Sequence, residues 1–389
     1  MKRKLLIGIL LLACVFARGE NDNTGKGYWV LVHGYSDESA AYKGPVPELP
    51  GTETVVSIPC LYNSVDQHGD TLTVSGRIYF PREGRVKAFV LQPHYTITSN
   101  RECPSECDMP DLILHEMGYA VLLPDYVGYG VTRDRNHPYL DCEVAARNTL
   151  DLYFGAKALL ESLDRLPEND SLILVGYSQG AQTALATLKL IETEHPEVAV
   201  KQCFLGSGPY DVARTYDVSM ATNKVGLQFT IPMLIMGTSW SYDLNLDPAY
   251  FMNKKTIERS EKYVFSKEYS AGNVVLLNRM GCSHKVSRYM TPEGMDKTLP
   301  ETRRLYEGLI RSSLVHVSET DTMLGDWTPK APLYILHSTE DRGVPFENAS
   351  SLQLMLETKG VTNVEYDFGK FGDHLPAFVR FLQVLKSRL

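Results

Sequence analysis

Apolar positions follow two rhythms along the chain. Val55–Leu61 and Thr71–Phe80 alternate apolar and polar residues, the period of half-buried strands, and Asn63–Asp70 between them reads as a hairpin. Lys87–Gln92 and Gly118–Leu123 are further strands, with a short helical run at Asp108–Met117 between them. Beyond them the period changes to that of helices packed on strands. Cys142–Leu163 is a long helix, 171–175 a strand and Ala181–Glu194 a helix that buries Ala181, Ala184, Leu185, Leu188 and Ile191. Gln202–Gly206 and Pro332–His337 are strands, and Phe346–Thr358 is a helix stopped by Gly360. Strand Asn363–Phe368 follows, then a last helix, Leu375–Leu389, with Phe378, Phe381, Leu382 and Leu385 on one face. Strands alternating with helices predict a mainly parallel sheet covered on both sides.

One stretch breaks the alternation. Residues 208–328 separate two successive sheet strands, far more than an ordinary connection of a few residues. The stretch is rich in Tyr216, Met220, Phe229, Trp240, Tyr242, Tyr250, Phe251 and Met252. It reads as a mostly helical cap, most of whose aromatics form its own core while a few line a substrate pocket. The expected division is therefore a leader at 1–17, an extension at 18–54, a core at 55–207 and 329–389, and a cap insertion at 208–328.

The N-terminus adds a compartment. Met1-Lys2-Arg3-Lys4 precedes the twelve apolar residues Leu5–Phe16, too few to span a bilayer but suited to a signal-peptide core. Leu11-Leu12-Ala13-Cys14 resembles a lipobox that leaves Cys14 lipidated, whereas Val15-Phe16-Ala17 offers ordinary cleavage after Ala17. The chain has 389 residues and a net charge of −8, and removing residues 1–13 with Lys2, Arg3 and Lys4 moves it to −11. An acidic exported chain argues against nucleic acid and against electrostatic docking on anionic lipid. Six cysteines remain after Cys14, and Cys103 and Cys107 are the expected disulfide pair.

The chemistry centres on Gly176-Tyr177-Ser178-Gln179-Gly180, between an apolar strand and a helix. Serine needs exposure, a neighbouring base and oxyanion donors before it acts as a nucleophile. A sharp strand-to-helix turn supplies the exposure, and the flanking glycines let the two elements approach. The helix N-terminus aims free N–H groups at the serine, which makes the N–H of Gln179 a candidate oxyanion donor. Asp341 lies just past the strand Leu333–Leu336, where such sheets display functional groups, with Glu340 as the fallback acid. Among ten histidines His374 alone follows both Ser178 and Asp341, in a glycine-containing loop beyond a strand. The second oxyanion donor is expected from the backbone of Tyr95 or Thr96, after the strand that ends near Gln92. His33-Gly34, after Trp29-Val-Leu-Val, competes for that role but reads as a decoy, because other strands intervene.

These residues, with Leu123-Pro-Asp125-Tyr-Val-Gly128-Tyr-Gly130, His137-Pro-Tyr139, Gly206-Ser-Gly-Pro209 and Trp327-Thr-Pro329-Lys-Ala-Pro332, resemble the α/β-hydrolase superfamily. The closer likeness is to exported bacterial hydrolases similar to the fungal secretory lipases, over about residues 55–389. The resemblance implies a serine-dependent carboxylic-ester hydrolase with an inserted cap and a Ser178–Asp341–His374 triad. It implies a small-molecule ester substrate, no metal and no organic cofactor. Tyr95 stands where the usual pattern has a glycine after the oxyanion-strand histidine. Three other readings compete: a serine aminopeptidase or prolyl-type peptidase, an acyltransferase, and a non-catalytic binding protein on a hydrolase scaffold.

Overall fold

The computed structural model describes residues 29–30, 49–107, 114–167, 171–318, 322–323 and 325–389. The expected leader, Cys14, His33-Gly34 and most of the helical run expected at 108–117 lie outside the described residues. Of that run only the single turn His115–Met117 is described.

Strand β1 (Trp29–Val30) pairs parallel to β2 (Val55–Val65), which pairs antiparallel with β3 (Thr71–Pro81) along its whole length. The hairpin turn is tighter than the polar stretch 63–70 suggests because Asp66 closes it locally. Its carboxylate accepts from the N–H groups of His68 and Asp70, and Gly69 takes a left-handed φ of 84°. The chain continues through β4 (Phe89–Leu91), β5 (Ala120–Pro124), α1 (Cys142–Ser162), β6 (Ser171–Tyr177), α2 (Gln179–Glu194) and β7 (Ala199–Gly206). After a long connection come β8 (Leu333–Ser338), β9 (Val364–Gly369) and the closing helix His374–Arg388. The nine strands form one sheet in the order β1-β2-β3-β5-β4-β6-β7-β8-β9, and β3 alone runs against the others. This is the mainly parallel sheet that the strand–helix alternation predicts, in the α/β-hydrolase architecture that the resemblance implies. The central strands are apolar on both faces: Phe89, Val90, Leu91, Leu172 and Leu174 are all fully or almost fully buried.

The turn from β6 into α2 is the sharpest feature of the sheet's carboxyl edge. Ser178 stands at φ 56° and ψ −127°, outside the regions a side chain prefers. Its flanks explain the need for glycine. A Cβ at position 176 would lie 2.1 Å from the carbonyl oxygen of Gly180, and one at 180 would lie 2.2 Å from that of Pro93. The serine N–H donates to Gly206 O at 2.8 Å, fixing the turn to the neighbouring strand end.

The long connection holds helices α3 (Val212–Thr222), α4 (Thr230–Ser241) and α5 (Pro300–Arg311), with shorter turns between α4 and α5. Tyr216, Phe229, Phe251 and Met252 are buried together with Leu305 and Leu309, so most of its aromatic and sulfur side chains form its own core. Tyr210 and Val315, at its two ends, pack instead in the core beneath the sheet. Buried Asp211 ties those ends together. It accepts from the N–H of Arg214 and Val317, from His316 Nδ1 at 2.9 Å and from Ser351 Oγ at 2.8 Å, in the next helix, α6 (Glu347–Thr358). The same connection also grips the loop after β4. Glu102 accepts from the N–H groups of Thr98, Ser99 and Ala271, and Thr98 Oγ1 donates to Tyr269 O at 2.7 Å.

Cys103 and Cys107, the expected disulfide, are not joined to each other. They occupy one tight turn in which the Cys107 N–H and thiol both address Cys103 O, at 3.1 and 3.2 Å. Cys103 points inward against Ile97 and Tyr129, away from its half-buried neighbour.

Two outcomes follow from this packing. Gly180→Ala forces the Pro93 carbonyl aside and is expected to cost on the order of 1–3 kcal/mol, a lowered thermal midpoint. An unchanged midpoint contradicts the close approach. Burial pushes the Glu102 carboxyl up to about 7 from its ordinary 4.5, although three backbone donors favour its ionised form. The folded chain then binds the proton more tightly than the unfolded chain. Its contribution is fully present below pH 4.5 and is lost as the pH rises to about 7. Denaturation across that window checks this: Glu102→Gln flattens the slope, and an unaltered slope contradicts the assignment.

Candidate active site

Three loops at the carboxyl edge of the sheet bring Ser178, His374 and Asp341 together. His374 opens α7 (His374–Arg388), capped by Asp373, whose carboxylate accepts from the His374 N–H. His374 Nε2 lies 2.9 Å from Ser178 Oγ, and Nδ1 lies 2.7 Å from Asp341 Oδ2. Asp341 divides its two oxygens. Oδ2 faces the imidazole, while Oδ1 accepts from the N–H groups of Gly343 and Val344 at 2.8 and 2.9 Å. Burial acts to raise the Asp341 carboxyl, but His374 beside it, His337 and these donors outweigh burial and hold it below the usual carboxylate range. Glu340, the fallback acid, is exposed, and the imidazole Nδ1 is met by Asp341 instead. A carboxylate that fixes the tautomer of a histidine bonded to a serine hydroxyl can support general-base activation of that hydroxyl.

The surrounding contacts hold the imidazole in place. Tyr177 Oη donates to His374 O at 2.5 Å, and its ring lies 5.2 Å from the imidazole. Arg342 binds Asp373 through its backbone N–H at 2.9 Å and its guanidinium Nε at 2.8 Å, tying the Asp341 loop to the His374 loop. His337, buried under the acid loop, has Nε2 3.0 Å from Val344 O and 3.9 Å from Asp341 Oδ2. A carbonyl only accepts, so Nε2 carries the proton there, and burial keeps the ring from taking a second one.

The loop after β4 runs against the start of α2, where Gly180 meets Pro93 and His94. Among the described residues none accepts a hydrogen bond from the backbone N–H of Tyr95, Thr96 or Gln179. Unpaired N–H groups in a buried turn are rare and mark places where a ligand oxygen can be received. Thr96 Oγ1 is taken by Tyr139 Oη at 2.9 Å, which leaves its backbone as the available group.

Sequence reasoning gave no role to the histidines that brace this loop. His94 Nδ1 lies 2.6 Å from Tyr95 O and Nε2 3.1 Å from Asp125 O, and its ring lies tilted with its centroid 4.2 Å from that of Tyr126. His137 Nδ1 donates to Val127 O at 2.7 Å, so Nε2 is left to accept from the Gln179 amide at 3.2 Å. Burial holds His137 down to about 3, so it stays neutral in that role. The available signals were the position of His94 directly before Tyr95 and the His137-Pro-Tyr139 stretch. Neither spacing says which carbonyl a ring nitrogen meets.

Two aromatics of the long connection, Tyr242 and Trp240, lie apart from its core cluster of Tyr216, Phe229 and Phe251. Tyr242 packs over Gly308 with the Arg311 guanidinium 4.0 Å from its ring. Trp240 borders a cavity of about 670 Å³ lined also by Asp66, His68, Arg135 and Asp243, and its lining includes none of Ser178, Asp341 and His374. Among the described residues no group of three His, Cys, Asp or Glu side chains could hold a metal ion.

Comparison with known proteins places this geometry in a family. The profile of the secretory lipases matches residues 110–380. A secreted triacylglycerol lipase of Malassezia furfur is 25% identical over 236 residues, which are 60% of this chain and 54% of that protein. The chain thus matches about half the length of that curated relative. Among solved structures, the rice cell wall degrading esterase LipA from Xanthomonas oryzae superposes with a TM-score of 0.73 at 22% identity, over 86% of this chain and 90% of that one. Lipase A of Candida antarctica gives a TM-score of 0.60 at 18% identity, over 82% and 73% of the two chains. At those identities the likeness is one of fold. The match over residues 110–380 decides the family, and the chain belongs to the secretory lipases.

Proposed function

We propose that the protein is an exported serine hydrolase that cleaves carboxylic esters through an acyl-enzyme. The observation that carries this reading is one imidazole bridging a serine hydroxyl and a buried carboxylate, at 2.9 and 2.7 Å, with the serine held at positive φ. His374 Nε2 takes the Ser178 proton as Oγ bonds to the ester carbonyl carbon. The backbone N–H groups of Gln179 and of Tyr95, or Thr96, receive the charge that moves onto the carbonyl oxygen. Collapse of the tetrahedral species breaks the bond to the alcohol oxygen, which leaves with the proton from His374. Water then repeats the sequence on the acyl-serine, with His374 as base, and frees the acid. Asp341 keeps Nδ1 protonated and stabilises the imidazolium formed in each half.

Residues 208–328 act as a cap that shapes substrate choice, since Ser178, Asp341 and His374 all lie outside them. Export rests on the apolar segment Leu5–Phe16 and on the secreted character of the Malassezia relative. Lipidation at Cys14, rather than cleavage after Ala17, keeps the enzyme at a membrane surface, in the periplasm or on the cell exterior of a bacterium.

Nitrophenyl esters from acetate to palmitate, assayed beside aminoacyl-nitroanilides, test the reading. Ester turnover is expected to exceed amide turnover, and Ser178→Ala is expected to lower it by about a thousandfold or more with an unchanged thermal midpoint. Equal turnover by wild type and variant removes Ser178 as nucleophile. Preferred cleavage of the anilides makes the enzyme a peptidase.

A further inference from the structure

The loop that leaves β5, residues 125–139, carries two stretches that the triad does not use, Tyr126-Val-Gly128-Tyr129 and His137-Pro-Tyr139. Their side chains converge on the loop after β4. Tyr126 Oη donates to His94 O at 3.1 Å, Tyr129 Oη donates to Ile97 O at 2.7 Å, and Tyr139 Oη meets Thr96 Oγ1 at 2.9 Å. Three buried tyrosines of one loop thus grip the segment His94–Ile97 and leave the N–H groups of Tyr95 and Thr96 without an acceptor among the described residues. From the same loop His137 Nε2 accepts from the side-chain amide of Gln179, the residue after the serine. The loop itself has little freedom. Tyr126 is held at φ 67°, a left-handed backbone that is costly for a bulky side chain. A Cβ at Gly128 would lie 2.6 Å from His137 Cα, and one at Gly237, in α4 of the long connection, would lie 2.6 Å from Tyr139 Cβ.

We propose that Tyr126, Tyr139 and His137 are positioning residues of the oxyanion hole, which fix the direction and separation of its backbone donors without touching substrate. The inference rests on the esterase reading above. A peptide unit is planar and trans, so a carbonyl and the N–H of the next residue point in opposite directions across one rigid plate. Holding His94 O therefore aims the Tyr95 N–H, and the His94 ring beside Tyr95 O aims the Thr96 N–H in the same way. Tyr126 serves both, since its ring also lies against that imidazole, 4.2 Å between centroids. Tyr139 anchors the Thr96 side chain, and the helix packed on Tyr139 keeps it from swinging away. His137 acts on the other donor through the Gln179 amide, and burial keeps its ring neutral, so Nε2 remains an acceptor. Oxyanion donors are effective because they are set in place before the charge develops, and small displacements are costly in rate. A bulky residue held at positive φ marks a place where position outweighs local stability.

Kinetics on nitrophenyl butyrate, with kcat taken per serine titrated to completion by a fluorophosphonate, test the proposal. Tyr126→Phe and Tyr139→Phe each remove one hydroxyl and keep the ring. Each is expected to lower kcat by about tenfold or more while KM stays within about twofold. Affinity for the trifluoromethyl ketone of the same acyl chain is expected to fall by a similar factor, because its adduct on Ser178 places an oxyanion on the same donors. A residue that only supports the fold changes the number of titratable serines instead. His137→Leu is expected to lose about tenfold or more in kcat, whereas His137→Gln, which keeps an acceptor for Gln179 and a donor for Val127 O, stays within about threefold of wild type. Wild type that leaves the ester intact removes the esterase reading and this proposal with it. Wild-type turnover beside variants that keep kcat and ketone affinity, or that differ only in the number of titratable serines, overturns the proposal alone.

Discussion

The backbone at Ser178 is the constraint from which the site is built. A residue at φ 56° between a strand and a helix is unfavourable in itself, and it persists because its surroundings leave it no alternative. β6 and α2 approach until residues 176 and 180 have no room for a Cβ, and the Pro93 carbonyl closes the remaining space. The contact that demands glycine at 180 is therefore also the contact that sets the β4 loop beside the serine. Ser178 and the loop after β4 are placed by one close approach, so neither can shift without the other.

Buried polar groups then hold the loops that the sheet alone would leave loose. Asp125, wholly buried, accepts from Ser75 Oγ at 2.5 Å and from the Ser105 N–H at 2.9 Å, joining β3, the β5 end and the loop that follows β4. Arg77 donates beside it to Ser105 O at 3.0 Å. Asp211 does the same for the two ends of the long connection, and Glu102 for its middle. Each carboxylate gathers N–H or hydroxyl donors from segments far apart in sequence, and such networks are costly when broken because the remaining partner stays buried and unpaired.

The core strands and the meeting of Ser178, Asp341 and His374 were legible in the sequence because both are written in local pattern. Period-two alternation marked β2 and β3, and Ser178, Asp341 and His374 each sit just past a strand in the order such sheets require. The limits of legibility are equally physical. Asp66 pulls the hairpin turn tighter than its polar composition indicates, through two hydrogen bonds that composition does not encode. Spacing made Cys103 and Cys107 look like a bridge, whereas side-chain direction sends one thiol inward and the other to a carbonyl. The interior of residues 208–328 was opaque because its helices are short and its core is assembled from residues far apart in sequence. Trp240 and Tyr242 could be recognised as aromatic but not assigned a face.

The most direct test of the central claim is covalent. A fluorophosphonate, which needs an activated serine and mimics the tetrahedral charge, is reacted with the purified protein, and the adduct is located by peptide mass spectrometry. The account predicts one adduct, on Ser178, whose rate of formation collapses in His374→Ala while the fold is retained. An adduct on another residue, or labelling of Ser178 at an undiminished rate without His374, would contradict it.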